Sequence, residues 1–194
     1  YHRDGDGPAE ILYCDDGTIE IQCWYRVGAY HREGDLPAEI RYNESGAIRS
    51  QYWYRDGQLH REGDLPALIW YYDCGTINAE DWYHEGRLHR DGDLPAYIQY
   101  REDGTIKSQS WYRRGQHHRE GDVPACTVYN DREVLMEDYI RDGLYHREGD
   151  RPARIWYYDS GAIRSQYWYR DGFLHREGDL PALISYYECG TIKS

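Results

Sequence analysis

The sequence predicts an all-β protein, an elongated and solenoid-like stack of β-hairpin repeats with about seven units and two main strands in each. Three observations carry that prediction. First, the segment His60-Arg61-Glu62-Gly63-Asp64-Leu65-Pro66-Ala67 recurs in close copies that start at His2, His31, His60, His89, His118, His146 and His175, at intervals of 29, 29, 29, 29, 28 and 29 residues. Second, fixed apolar residues alternate with variable ones between the copies, which is the period of a strand with one restricted face. Third, glycines punctuate these runs at fixed places in each unit, where a tight turn needs positive φ.

The repeats form one array over residues 1–194, with units 1–29, 30–58, 59–87, 88–116, 117–144, 145–173 and a partial 174–194. The first strand of a unit follows its Pro-Ala pair. It carries isoleucine at Ile11, Ile40, Ile69, Ile98, Ile155 and Ile184, and tyrosine two residues later at Tyr13, Tyr42, Tyr71, Tyr100, Tyr129, Tyr157 and Tyr186. Proline just before the strand is tolerated because a missing N–H does little harm there. Turns such as Ser45-Gly46 and Asp103-Gly104 come next, then a second strand from Ile48 or Ile106 to Trp53-Tyr54 or Trp111-Tyr112. A second turn at Asp56-Gly57, Glu85-Gly86 or Asp171-Gly172 leads into the His-Arg segment, with a short third strand expected over Leu59-His60-Arg61.

Unit five departs from this plan. Its turn glycine is missing, one residue is deleted, and Tyr139-Ile140 replaces Trp-Tyr, so an irregular turn and a local change of twist are expected between Tyr129 and Ile140. At two strands per unit the stack should span on the order of 65–70 Å and should twist. The chain begins inside one repeat and stops inside another, after Thr191-Ile192-Lys193-Ser194, so the expectation is a fragment, a processed product or a portion of a longer array.

Composition supports β structure and narrows the partners. There are 22 Tyr and 7 Trp against one Phe and one Met, and aromatic residues suit half-buried pleated surfaces. A net charge of −12 argues against a nucleic-acid backbone and against anionic lipid. No apolar run approaches a membrane span. The five cysteines are odd in number and lack metal-type spacing, which favours free thiols in a reducing compartment over an end-to-end intermolecular bridge. The compartment itself stays unassigned.

The repeated His and Asp look at first like metal ligands. The neighbouring arginine opposes a dication, and the acid alternates between Glu and Asp (Asp4, Asp91), which a tight site rarely tolerates. The favoured reading is an inter-repeat structural ladder of His31, Arg32, Asp35, His60, Arg61, Asp64, His89, Arg90, Asp93, His146, Arg147, Asp150, His175, Arg176 and Asp179. In it arginine forks pair with carboxylates, Asp caps its own turn, and His bonds to neighbouring backbone or carboxylate. Seven near-equivalent copies argue against catalysis, which needs one arrangement with separated pKa values, and no nucleophile elbow, phosphate loop or dinucleotide fingerprint is present. The expectation is therefore no enzyme, no cofactor and no metal. A tolerant aromatic face with Trp70, Tyr72, Tyr97, Trp156 and Tyr158 is the candidate binding surface for protein or glycan.

The columns Tyr-x-x-x-Gly-x-Ile-x-x-x-x-Trp-Tyr-Arg-Asp-Gly-x-Leu-His-Arg-Glu-Gly-Asp-Leu-Pro-Ala resemble the MORN-type repeats over the whole chain, in a variant with His-Arg-(Glu/Asp)-Gly segments. Two departures are the 29-residue unit and the Asp-Leu-Pro-Ala that follows the glycine. The resemblance implies stacked hairpins in an elongated sheet that serve as scaffold or interaction modules. The near-identical units and the absence of polar capping units make a structural scaffold that self-associates end to end the expected role, with a protein- or glycan-binding module as the alternative.

Overall fold

The computed structural model describes residues 7–131 and 133–193. The first copy of the repeated segment, from His2 through Asp6, and Arg132 in the turn of unit five lie outside the described residues. Among the described residues the fold is all-β and contains no helix.

The strands follow one another with the period of the sequence. The first unit gives β1 (Glu10–Tyr13), β2 (Ile19–Cys23), β3 (Tyr25–Arg26) and β4 (Ala29–Tyr30), and the second β5 (Glu39–Tyr42), β6 (Ile48–Tyr52), β7 (Tyr54–Arg55) and β8 (Gln58–Leu59). The third gives β9 (Leu68–Tyr71), β10 (Ile77–Asp81), β11 (Tyr83–His84) and β12 (Arg87–Leu88), and the fourth β13 (Tyr97–Tyr100), β14 (Ile106–Ser110), β15 (Tyr112–Arg113) and β16 (Gln116–His117). The fifth gives β17 (Cys126–Tyr129), β18 (Val134–Asp138), β19 (Ile140–Arg141) and β20 (Leu144–Tyr145), the sixth β21 (Arg154–Tyr157), β22 (Ile163–Tyr167), β23 (Tyr169–Arg170) and β24 (Phe173–Leu174), and the last β25 (Leu183–Ser185).

The two longer strands of every unit join one 13-stranded antiparallel sheet, in the order β1-β2-β5-β6-β9-β10-β13-β14-β17-β18-β21-β22-β25. Twelve inter-strand steps at ~4.8 Å give roughly 58 Å across the strands. This is shorter than the sequence-based length because the last unit adds only one strand and because 13 strands are separated by only 12 steps. The short strands form six separate two-stranded hairpins. This corrects the expected third strand: Leu59 pairs with Tyr54 in a minor hairpin, while His60 and Arg61 lie beyond its end.

The turn residues account for both hairpin types. In the main hairpin of unit two, Gly46 N–H bonds to the Asn43 carbonyl at 2.9 Å and Asn43 N–H to the Ala47 carbonyl at 2.9 Å. Gly46 has φ 81°, as in a three-residue loop that closes with a left-handed residue. Unit five has no turn glycine, and Asn130 N–H bonds directly to the Glu133 carbonyl at 2.9 Å. The deletion is absorbed in the turn, since Tyr129 still pairs with Val134 across the same bulge that sets Tyr42 against Ile48. In the minor hairpins both central residues are left-handed, as at Asp56 (φ 50°) and Gly57 (φ 77°), the primed two-residue turn that matches strand twist.

There is no central core. Four of the junctions between units have their own small clusters, such as Trp53, Ala67 and Ile69 with Tyr71, Ile77 and Tyr83 packed on them, with equivalents at Trp24, Trp82 and Tyr139. Ala38, Ala67, Ala96, Ala125 and Ala153 are all 0% exposed, which explains the invariant small residue after proline: the aromatic ring of the preceding unit leaves no room for a longer side chain.

Candidate functional site

The repeated segment forms a coupling between units, and its geometry is set by the loop after each minor hairpin. Gly34 (φ 77°) and Asp35 (φ 54°) are both left-handed, as are the Gly-Asp pairs at 63–64, 92–93 and 178–179. The next unit then supplies an arginine. The Arg61 fork donates to Asp35 from Nε at 2.9 Å and from Nη2 at 2.9 Å. Arg90 does the same to Asp64, Arg119 to Asp93, Arg147 to Asp122 and Arg176 to Asp150. Each of these five carboxylates is held below its ordinary range, chiefly by the arginine hydrogen bond.

The same arginines lie flat on an aromatic ring. Arg32, Arg61 and Arg90 sit 3.9 Å from the ring centroids of Trp24, Trp53 and Trp82. Arg147 sits 3.6 Å from the Tyr139 ring, so the tyrosine in unit five keeps the contact. The third NH group of Arg61 reaches the Pro66 carbonyl at 3.3 Å, and the Trp53 indole N–H donates to the Asp35 carbonyl at 3.2 Å. One arginine thus ties together its own loop, the ring beneath it and the previous unit. The expectation that Asp caps its own turn is corrected, because the carboxylate bonds across the repeat to arginine.

Histidine plays a more local part. His31, His118 and His146 place Nε2 at 3.0, 3.1 and 3.3 Å from Glu33, Glu120 and Glu148 of their own segments, and His89 sits 3.1 Å from Asp91. These imidazoles hold Glu33, Glu120 and Glu148 below their usual range. His60 and His118 are buried, and their Nδ1 atoms accept the backbone N–H of Glu85 and Asp142 in the minor hairpin of the same unit, at 3.4 and 3.1 Å. His175 is exposed, and neither it nor Asp179 has a side-chain partner among the described residues. No group of three His, Cys, Asp or Glu side chains is placed to hold a metal ion among the described residues. The five cysteines are all free thiols.

A second ladder escaped the sequence reading. On the sheet face that carries the isoleucines, each tyrosine hydroxyl donates to an amide or carboxylate of the previous unit: Tyr42 to Gln22 at 2.7 Å, Tyr71 to Gln51 at 2.7 Å, Tyr100 to Glu80 at 2.6 Å and Tyr157 to Glu137 at 2.8 Å. Gln22, Gln51, Glu80, Gln109, Glu137 and Gln166 recur with the unit period, and that recurrence was the available signal.

The candidate binding face does not form one stripe. Trp70 and Trp156 lie on the opposite sheet face, half-buried, in a row where bulky residues alternate with the small Ser50, Ala79 and Ser165. β9 and β21 are six strand steps apart, roughly 29 Å. Tyr97 is half-buried beside Asp81. Tyr72 and Tyr158 donate to the Tyr100 and Tyr186 carbonyls at 2.8 Å, and so staple each turn to the next unit.

Fold and ladders together define a class, a one-dimensional stack of hairpin repeats coupled at each junction. No family model matches the chain, and no curated protein or solved structure matches it.

Proposed function

We propose that the chain is a structural scaffold built of MORN-type hairpin repeats, which lengthens by pairing the sheet edge of one array with that of another. The observation that carries this reading is the use of the repeat-constant polar side chains. Asp35 with Arg61, Tyr71 with Gln51 and their equivalents all bond between units, and in this reading they serve continuity of the stack. The junction between units also uses ordinary sheet pairing. β2 meets β5 through Ile21↔Arg41, Gln22↔Ile40 and Cys23↔Glu39, contacts that an edge of a second array is able to reproduce. Repeat stacks of this kind present long surfaces and few enclosed sites.

The test is light scattering and electron microscopy over a hundredfold range of protein concentration. Particles that lengthen in whole multiples of the array support edge pairing. Short single particles at every concentration would falsify it. A second reading, a partner laid along the half-exposed Trp70 and Trp156, rests on their shared face. It predicts that replacing both with alanine abolishes capture while the fold survives.

A further inference from the structure

The third and fourth minor hairpins break a charge pattern that most of the others keep. At the end of the first short strand stands an arginine, Arg26, Arg55, Arg113, Arg141 or Arg170, but unit three has His84. The turn position that follows is acidic at Asp56, Glu85, Asp142 and Asp171, but unit one has the uncharged Val27 and unit four has Arg114. Where the pattern holds, the arginine of one hairpin faces the acid of the next: Arg26 lies 3.9 Å from Asp56, Arg55 3.9 Å from Glu85 and Arg113 2.8 Å from Asp142. Between units three and four that acid is missing, and the guanidinium of Arg114 stands in its place opposite the His84 imidazole. Arg87 adds another where neighbouring units carry Ala29, Gln58, Gln116, Leu144 and Phe173.

These departures surround one open cavity of about 610 Å³, lined by Gln58, His84, Glu85, Arg87, His89, Asp91 and Arg114. Both acids in the lining already have a basic neighbour. Asp91 lies 3.1 Å from His89 Nε2, and Glu85 lies 3.9 Å from Arg55. Arg87 and Arg114 have no hydrogen-bond or ion-pair partner among the described residues. The Gly115 N–H donates to the Leu88 carbonyl at 2.9 Å, so the two arginines belong to touching hairpins. The His84 ring lies 6.2 Å from the His89 ring and 5.0 Å from that of His60.

We propose that this cavity binds a small oxyanion of the phosphate class, which takes the place of the missing turn carboxylate. Two unpaired guanidiniums call for a dianion, and their planar forks match phosphate oxygens. Gln58 and the imidazoles supply further donors at the rim. The site stands out because the chain as a whole carries a net charge of −12, so an anion is attracted here only by local cations within a screening length.

The experiment is calorimetric titration of the whole chain with inorganic phosphate, phenyl phosphate and acetate at low ionic strength. Saturable binding of both phosphates, and at least tenfold weaker binding of acetate, is expected. Arg114→Asp restores the acid found in the neighbouring turns and should fold normally by circular dichroism. It should weaken phosphate binding at least tenfold, and Arg87→Gln should do the same. Arg164→Asp, the same charge change at an exposed position in β22, should leave binding unchanged and so separates the site from net charge. Absence of saturation, equal binding by Arg114→Asp and the unaltered chain, or equal loss in Arg164→Asp would overturn the proposal.

Discussion

Arg61 closes its fork on Asp35, 26 residues earlier in the chain, at 2.9 Å through each of two NH groups, while its guanidinium rests 3.9 Å from the Trp53 ring centroid. A single side chain thereby joins two repeats by charge and by stacking. Lysine offers one compact charge and no fork, so Arg61→Lys should keep the charge and lose most of the coupling. Asp35 is half exposed, which limits the ion pair. The combined loss in Arg61→Ala is about 1–2 kcal/mol, with the stacking included. Urea unfolding should place Arg61→Lys closer to Arg61→Ala than to the unaltered chain. Stability equal to the unaltered chain would mean that the fork contributes nothing.

The tyrosine ladder makes a graded prediction. Tyr71→Phe leaves the Gln51 amide without its partner and should cost about 1 kcal/mol, whereas Tyr100→Phe removes a 2.6 Å bond to the Glu80 carboxylate and should cost about twice that. The two variants differ by one oxygen each and sit at the same repeat position. Their order in urea midpoint therefore reports the charge of the acceptor, and the reverse order would contradict it.

Much of the fold was legible in the sequence because its signals are local. Alternation in Glu39-Ile40-Arg41-Tyr42 and glycine at Gly46 and Gly57 each act within a few residues, and together they give strands, turns and a stack. The partners within the ladders were less legible. Recurrence marks Arg61 and Asp35 as constant, but it does not say whether the arginine meets the acid of its own unit, three residues on at Asp64, or that of the unit before. The stacking of one unit on the next decides this, and the cross-repeat pair forms whether the aspartate is left-handed, as at Asp35, or not, as at Asp122 and Asp150. Gln51 and Glu80 were missed for a related reason. A polar residue in a strand reads as solvent-facing until a neighbour with a hydroxyl at the right distance is seen to claim it.

Val27 is the one β-branched residue among the left-handed turn positions, with φ 51° and 95% exposure. That conformation is costly for a β-branched side chain and much easier for Asn or Asp, and nothing in this exposed position repays it. Val27→Asp, the residue found at Asp56 and Asp171, should raise stability by about 1 kcal/mol. Thermal unfolding should move upward, and a lower midpoint would show that Val27 makes a contact worth more than its strain.

Asp81 links burial to pH. It lies 7% exposed at the end of β10, between Leu68 and Tyr97 across the strands. The equivalent Asp138 is paired with Arg154 at 2.7 and 3.0 Å, and the buried Glu39, three strands away in the same row, with Arg41 at 2.6 Å. Asp81 has no such cation among the described residues. Burial pushes its carboxyl up to about 7, opposed only by a hydrogen bond from Trp70. The folded chain therefore holds a proton that the unfolded chain, titrating near the ordinary 3.8, releases. The stabilisation from that proton is fully present below about pH 4 and is lost as pH rises to about 7, by on the order of 4 kcal/mol at most. The ladder aspartates act in the opposite sense, since their depressed pKa values make the fold lose stability as pH falls below about 4. Asp81→Asn keeps the shape and removes the titration. It should be more stable than the unaltered chain at pH 8 and should lose the decline between pH 5 and 7. Urea unfolding of both chains at pH 5, 6, 7 and 8 reads this directly, and parallel curves for the two would show that Asp81 ionises without cost.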